Sequence, residues 1–212
     1  MSSRVRLLWA ACGWLCAAVC QAAPDFGAAR ASDDARYAAG WVVQAADNEG
    51  LPFAVIDKRD ARIYVFDAGG RLIGASAALL GLTFGDQSIA DTALRTPGQL
   101  AADERTTPAG RFGARPGRND KGEAIVWIDY GASLAIHRLR PAPAQERRPA
   151  RLASATPDDN RISLGCIVVP ETFYDAVVGP ILGSDRSVVY VLPETRPGRA
   201  LFDDLADAAA AS

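Results

Sequence analysis

Apolar and polar positions alternate over much of the chain, in short runs broken by turn residues. Pro52-Phe53-Ala54-Val55-Ile56-Asp57 is strand-like, Lys58-Arg59-Asp60 is a turn, and Ala61–Asp67 alternates with β-branched and aromatic residues. Ala68-Gly69-Gly70 turns the chain again into Arg71–Ser76. Ala124–Tyr130 and Ala132–Leu139 read as two further strands joined at Gly131, and Ser187–Leu192 as a last one. Helical signals are fewer. Ser32-Asp33-Asp34 opens a helix that Asn48-Glu49-Gly50 should stop, with Tyr37, Trp41, Val42 and Ala45 forming a one-sided apolar stripe that packs on the domain. Pro170 starts a second helix, which Gly179-Pro180 should end or kink. Residues 84–107, the Thr106–Phe112 stretch that closes them, and Pro116–Gly122 read as loops, as does the long polar stretch Arg140–Asn160. The expected fold is mainly β with a few helices.

The N-terminus has a different character. Arg4 and Arg6 precede an apolar run over residues 7–20, and Cys20-Gln21-Ala22 supplies small residues before Ala23. This is the pattern of a secretory signal peptide. The run is 14 residues long, short of the roughly 20 a membrane span needs, so the rival reading, an uncleaved anchor, is disfavoured. A lipidated Cys20 is disfavoured by Val19, where a small residue is expected. The expected division is a signal peptide at 1–22, a helical extension at 23–50, a main domain at 51–193 and a tail at 194–212. Cleavage would take the net charge from −2 to −4, which gives no basic footprint for nucleic acid. Export to the periplasm or cell envelope, without stable membrane insertion after cleavage, is the expected location.

The same cleavage changes the cysteine count. Of Cys12, Cys16, Cys20 and Cys166, only Cys166 would remain, and His137 is the single histidine. A multi-His or multi-Cys zinc site is thereby excluded, and no cofactor or metal is expected. A lone thiol in an oxidising compartment stands out. Its bland reading is a buried small hydrophobe, and the bland reading of His137 is an ordinary strand residue. The sharper reading pairs them. A thiol titrating near about 8.5 needs a base within reach, and a tetrahedral intermediate needs N–H donors aimed at its oxyanion. Ser163-Leu164-Gly165-Cys166 can supply such amides, with Gly165 permitting a tight turn. The helix expected at Pro170 would place its positive end near Cys166 and favour thiolate. Alternation puts His137 on the side of Ser133, Ala135 and Leu139, opposite Leu134, Ile136 and Arg138.

These residues resemble the catalytic domain of the L,D-transpeptidases, cysteine enzymes of bacterial peptidoglycan. That family carries a His, a spacer, then Ser/Thr-His-Gly-Cys and a hydrophobic residue; here stand His137 and Ser163-Leu164-Gly165-Cys166-Ile167. The strand pair F-A-V-I-D-K-R-D-A-R-I-Y-V-F-D and a T-P-x-G-x-F element, Thr107-Pro108-Ala109-Gly110-Arg111-Phe112, match upstream, so the likeness spans residues 52–192. The resemblance implies a β-sandwich-like domain with the cysteine in a cleft. It implies Cys166 as nucleophile, His137 as base, and Ser163, Leu164 and Gly165 shaping the site. It implies attack on a peptidoglycan stem peptide, loss of the terminal D-alanine, a thioester on Cys166, and resolution by an amine or, as a carboxypeptidase, by water.

The chain departs from the pattern in three places. Leu164 replaces the usual His, so His137 is the only imidazole available. Val168 and Val169 follow Ile167 where Asn or Arg is common, and the interval from His137 to Cys166 is 29 positions, longer than usual for the family. The extra length carries Arg147, Arg148 and Arg151, which either hold a stem carboxylate or form a solvated loop. Arg138, beside His137, is either a carboxylate clamp or an exposed strand residue. Two other readings stand beside the enzyme: a catalytically inactive relative that binds peptidoglycan, and a thiol redox protein, which lacks a partner cysteine after cleavage.

Overall fold

The structure, a computed structural model, describes residues 24–87, 95 and 99–211. The expected signal peptide, and part of the 84–107 loop, lie outside the described residues. The strands are β1 (Phe53–Asp57), β2 (Arg62–Phe66), β3 (Leu72–Ala77), β4 (Leu80–Gly81), β5 (Gly110–Arg118), β6 (Ala124–Asp129), β7 (Leu134–Arg138), β8 (Arg161–Ser163), β9 (Ile167–Val169) and β10 (Ser187–Val191). Eight form one mixed sheet in the order β3-β2-β1-β10-β5-β6-β7-β9, while β4 pairs with β8. The molecule is mainly β, as its alternating pattern predicts.

Strand β5 carries the sheet round a corner. Its first half, Gly110–Ala114, pairs with β10; its second half, Arg115–Arg118, pairs with β6. The two halves of the sheet are therefore continuous through one strand. This strand is a correction, because both stretches read as loops. Gly110, Gly113, Pro116 and Gly117 are poor strand formers. Beyond Ala114 the β10 side of β5 is unpaired, and such an edge tolerates a proline.

The two halves close over a helical segment. It runs through α3 (Glu171–Phe173), a π-helical turn at Tyr174–Val178 and α4 (Gly179–Leu182). The Gly179-Pro180 pair does not end this segment; the wide turn before it absorbs the disruption. Ala54, Ile56, Ile63 and Val65 from one half meet Val126, Ile136, Ile167 and Val169 from the other around Tyr174, Val178 and Leu182. On the opposite face of β1, β2 and β10, Phe53, Val55, Tyr64, Phe66 and Tyr190 pack under α1 (Asp33–Ala45) and α5 (Ala200–Ala210). The central strands are thus buried on both sides, and every residue of β1 and β10 is buried. Ser32 caps α1 by accepting from the Ala35 amide at 3.0 Å. That helix ends at Ala45, with Ala46 left-handed at φ 52°, a turn before the Asn48-Glu49-Gly50 stop. A short helix, α2 (Arg148–Leu152), interrupts the long polar stretch.

Candidate active site

Strands β7 and β9 lie side by side and parallel, with Ile136 abreast of Ile167 and His137 abreast of Val168. Cys166 directly precedes β9, so it stands abreast of Ala135. Strand parity then sorts the side chains. Leu134, Ile136, Ile167 and Val169 enter the core. Ala135, His137, Cys166 and Val168 take the other face. The lone histidine and the lone described cysteine therefore share one face of adjacent strands, one diagonal step apart.

The surroundings of His137 fix its chemical form. Nδ1 lies 2.8 Å from the Arg138 carbonyl, an acceptor, so Nδ1 carries the hydrogen and Nε2 keeps a lone pair. Burial lowers the imidazole pKa; the Arg138 carbonyl works against that shift, and Arg140 and Arg148 add to it, leaving a value of about 4. Cys166 is partly exposed. Its Sγ donates to the Ser133 carbonyl at 3.3 Å. The crowding around it pushes the thiol above its ordinary value, opposed by the Ala135 amide and by Arg140. At neutral pH the resting pair is a thiol and a neutral imidazole with a free basic nitrogen. The expectation that a helix end favours thiolate is corrected: β9 carries the chain away from Cys166 before the helical segment begins at Glu171, and the thiol is raised, not lowered.

The turn before Cys166 is fastened at several points. Ser163 Oγ accepts from the Gly165 amide at 3.1 Å and donates to the Cys166 carbonyl at 2.6 Å. The Gly165 carbonyl accepts from Thr107 Oγ1 at 2.8 Å. Gly165 has φ +134°, and a Cβ there would stand 2.8 Å from the Thr106 carbonyl oxygen. Both facts demand glycine. Of the amides expected to meet an oxyanion, Gly165 N–H is already given to Ser163. The Cys166 N–H has no hydrogen-bond partner among the described residues. Leu164 projects outward, 39% exposed.

The arginines divide by role. Arg138 lies over the Tyr174 ring and its Nη2 is 2.8 Å from Asp175 Oδ1, on the side of β7 opposite His137. Arg151 fastens the polar stretch to itself, donating to the carbonyls of Glu146 and Asp159. Arg148 pairs with Glu146, and Arg147 is exposed. Arg140, which the sequence did not single out, acts electrostatically on both His137 and Cys166 while its Nε lies 2.8 Å from Glu123 Oε2. Arg140, Arg147, Arg148, Pro141, Pro143 and Glu171 are among the walls of a groove of about 510 Å³, of which Cys166 and His137 are not part. Among the described residues no group of three or more His, Cys, Asp or Glu side chains is placed to hold a metal ion. Nor, among them, is any helix long and apolar enough to cross a membrane.

Solved structures to which the chain is similar include L,D-transpeptidases and a cell-shape protein. An L,D-transpeptidase from Mycobacterium smegmatis is 16% identical, with a TM-score of 0.39, over 66% of this chain and 58% of that one. The catalytic domain of the E. faecium L,D-transpeptidase is 18% identical, with a TM-score of 0.37, over 66% and 96% respectively. The helical cell shape determining protein Pgp2 from Campylobacter jejuni is 14% identical, with a TM-score of 0.44, over 79% and 58%. The chain thus spans less than two thirds of the mycobacterial and Campylobacter proteins. No family model matches the sequence, and no curated protein does.

Proposed function

We propose that the protein is an exported cysteine acyltransferase of the L,D-transpeptidase type, acting on peptidoglycan stem peptides in the periplasm or cell envelope. The observation that carries this reading is the placement of Cys166 and His137 on one face of neighbouring parallel strands, with Nδ1 of the histidine tied to a carbonyl. The free Nε2 is then the nitrogen that can take a proton.

Both groups rest neutral, so proton transfer accompanies attack. The Cys166 proton passes to His137 Nε2 as sulfur bonds to the carbonyl carbon before the terminal D-residue. The carbonyl becomes an oxyanion, and the unpartnered Cys166 N–H is the donor available to it. Collapse restores the carbonyl and breaks the C–N bond, and the imidazolium proton goes to the departing amine. The thioester left on Cys166 is resolved by an amine, giving a new peptide bond, or by water, giving a free carboxylate. No cofactor enters these steps. Arg147 is an exposed cation on the neighbouring groove and the arginine best suited to meet a stem carboxylate; Arg148 keeps Glu146 as partner.

The test is acyl-enzyme formation. Mature protein mixed with a disaccharide-tetrapeptide should gain mass at Cys166 and release D-alanine. Saturable binding to sacculi without any adduct would instead identify an inactive peptidoglycan-binding relative, which the exposed Leu164 in place of the usual imidazole would suit.

A further inference from the structure

A buried chain of hydrogen bonds runs from the interior to the peptide unit that carries the Cys166 amide. Lys58 has a fully buried side chain, and its Nζ donates to the Thr107 carbonyl at 2.7 Å, to Asp86 Oδ1 at 2.7 Å and to the Gly85 carbonyl at 2.6 Å. The Thr107 hydroxyl oxygen accepts from the Gly81 amide at 2.8 Å and donates to the Gly165 carbonyl at 2.8 Å. The directions are forced. An amide N–H only donates, so the single hydroxyl hydrogen is left for Gly165. Thr107 is itself fully buried.

The consequence concerns the next atom along. The Gly165–Cys166 peptide is planar and trans, so its C=O and N–H point in opposite directions. Fixing the Gly165 oxygen on Thr107 fixes the direction of the Cys166 N–H. Ser163 holds the Gly165 N–H and the Cys166 carbonyl on either side, and the Thr107 hydroxyl is the group that holds the carbonyl of this peptide itself. We infer that Thr107, held by Lys58, is a positioning residue that aims the Cys166 N–H at the oxyanion formed when Cys166 is acylated. This rests on the reading of Cys166 as an acylated nucleophile. It adds a role for the T-P-x-G-x-F element, whose threonine lies 58 residues from its partner.

The test separates oxyanion chemistry from thiol chemistry. Acylation of Cys166 by p-nitrophenyl acetate passes through a tetrahedral oxyanion; alkylation by iodoacetamide displaces iodide and forms none. Both rates are read on the full mature chain, wild type and Thr107→Val, at one pH. The expected result is a loss of at least about tenfold in acylation with alkylation unchanged, and recovery of acylation in Thr107→Ser. A parallel fall in both rates, no fall in either, or a wild type that p-nitrophenyl acetate does not acylate would overturn the proposal. Thr107→Ala carries the same comparison if the valine variant does not fold, and failure of both to fold would mark the bond as structural only. Neither reagent resembles a stem peptide, so the proposed substrate can fail while this result stands.

Discussion

Two of the polar clusters in this fold, one around Lys58 and one at Cys166 and His137, are built on opposite plans. Around Lys58 every charge is answered. Asp86 and Glu194 meet the ammonium at 2.7 and 3.4 Å, and Glu194 also pairs with Arg161, whose Nη2 donates to the Lys58 carbonyl at 2.8 Å. Burial works to raise the Asp86 carboxyl, but hydrogen bonds from Lys58 and Thr195 hold it well below the usual carboxylate range. Among the described residues, Cys166 and His137 have no counter-charge in contact. Burial drives both toward their neutral forms, and among the described residues the hydrogen bonds of both side chains go to backbone groups. The first cluster is electrostatically closed and can only hold structure. The second is held in place yet still able to exchange a proton, which catalysis requires.

Breaking the closed cluster should cost the most stability. Lys58→Met leaves Asp86 without its cation and Glu194 with Arg161 alone, which should lower unfolding free energy by about 3–5 kcal/mol; chemical denaturation measures it, and a loss below about 1 kcal/mol would mean that the cluster is not closed as described. Gly165→Ala should cost less, about 1–3 kcal/mol, from its positive φ and its contact with Thr106, and it should also slow Cys166 acylation; equal stability and rate would deny the demand for glycine. A pH series probes the open pair. His137 titrates near 4 when folded and near about 6.5 when unfolded. The unfolded chain therefore binds more protons in that window, so stability should fall as pH drops from about 6.5 towards 4, by about 1–3 kcal/mol. In His137→Gln that dependence should shrink, and a slope unchanged by the substitution would show that the imidazole is not buried neutral. The smallest effect should come from Leu164→Ala. The side chain is exposed and touches no proton-transfer step, so acyl transfer should stay within about threefold of wild type, as for a surface change.

How much of this was legible differs between the clusters for physical reasons. The open pair was, because a single histidine and the single cysteine that the expected cleavage leaves admit one combination, and strand alternation puts His137 opposite Ile136. The closed cluster was not. Lys58 sits in what reads as a solvated turn, and its partners Asp86 and Glu194 lie 28 and 136 residues away. No local pattern encodes a contact of that range. Strand β5 was hidden by its own glycines and proline, since pairing on one edge overrode poor propensity. Arg140 was passed over because its importance lies in its distance to two other residues rather than in its neighbours along the chain. Gly179-Pro180 misled in the opposite sense, because a π-helical turn let the helix continue.

The most direct measurement is the intact mass of the chain from residue 23 to 212 after mixing with a disaccharide-tetrapeptide, in parallel with Cys166→Ala and His137→Ala. The account predicts an adduct on the wild type equal to the substrate less D-alanine. It predicts none on Cys166→Ala, and formation on His137→Ala slowed by about 10²–10⁴-fold, the usual contribution of a positioned base. An adduct that persists in Cys166→Ala, or a wild type that releases no D-alanine and gains no mass, would contradict it.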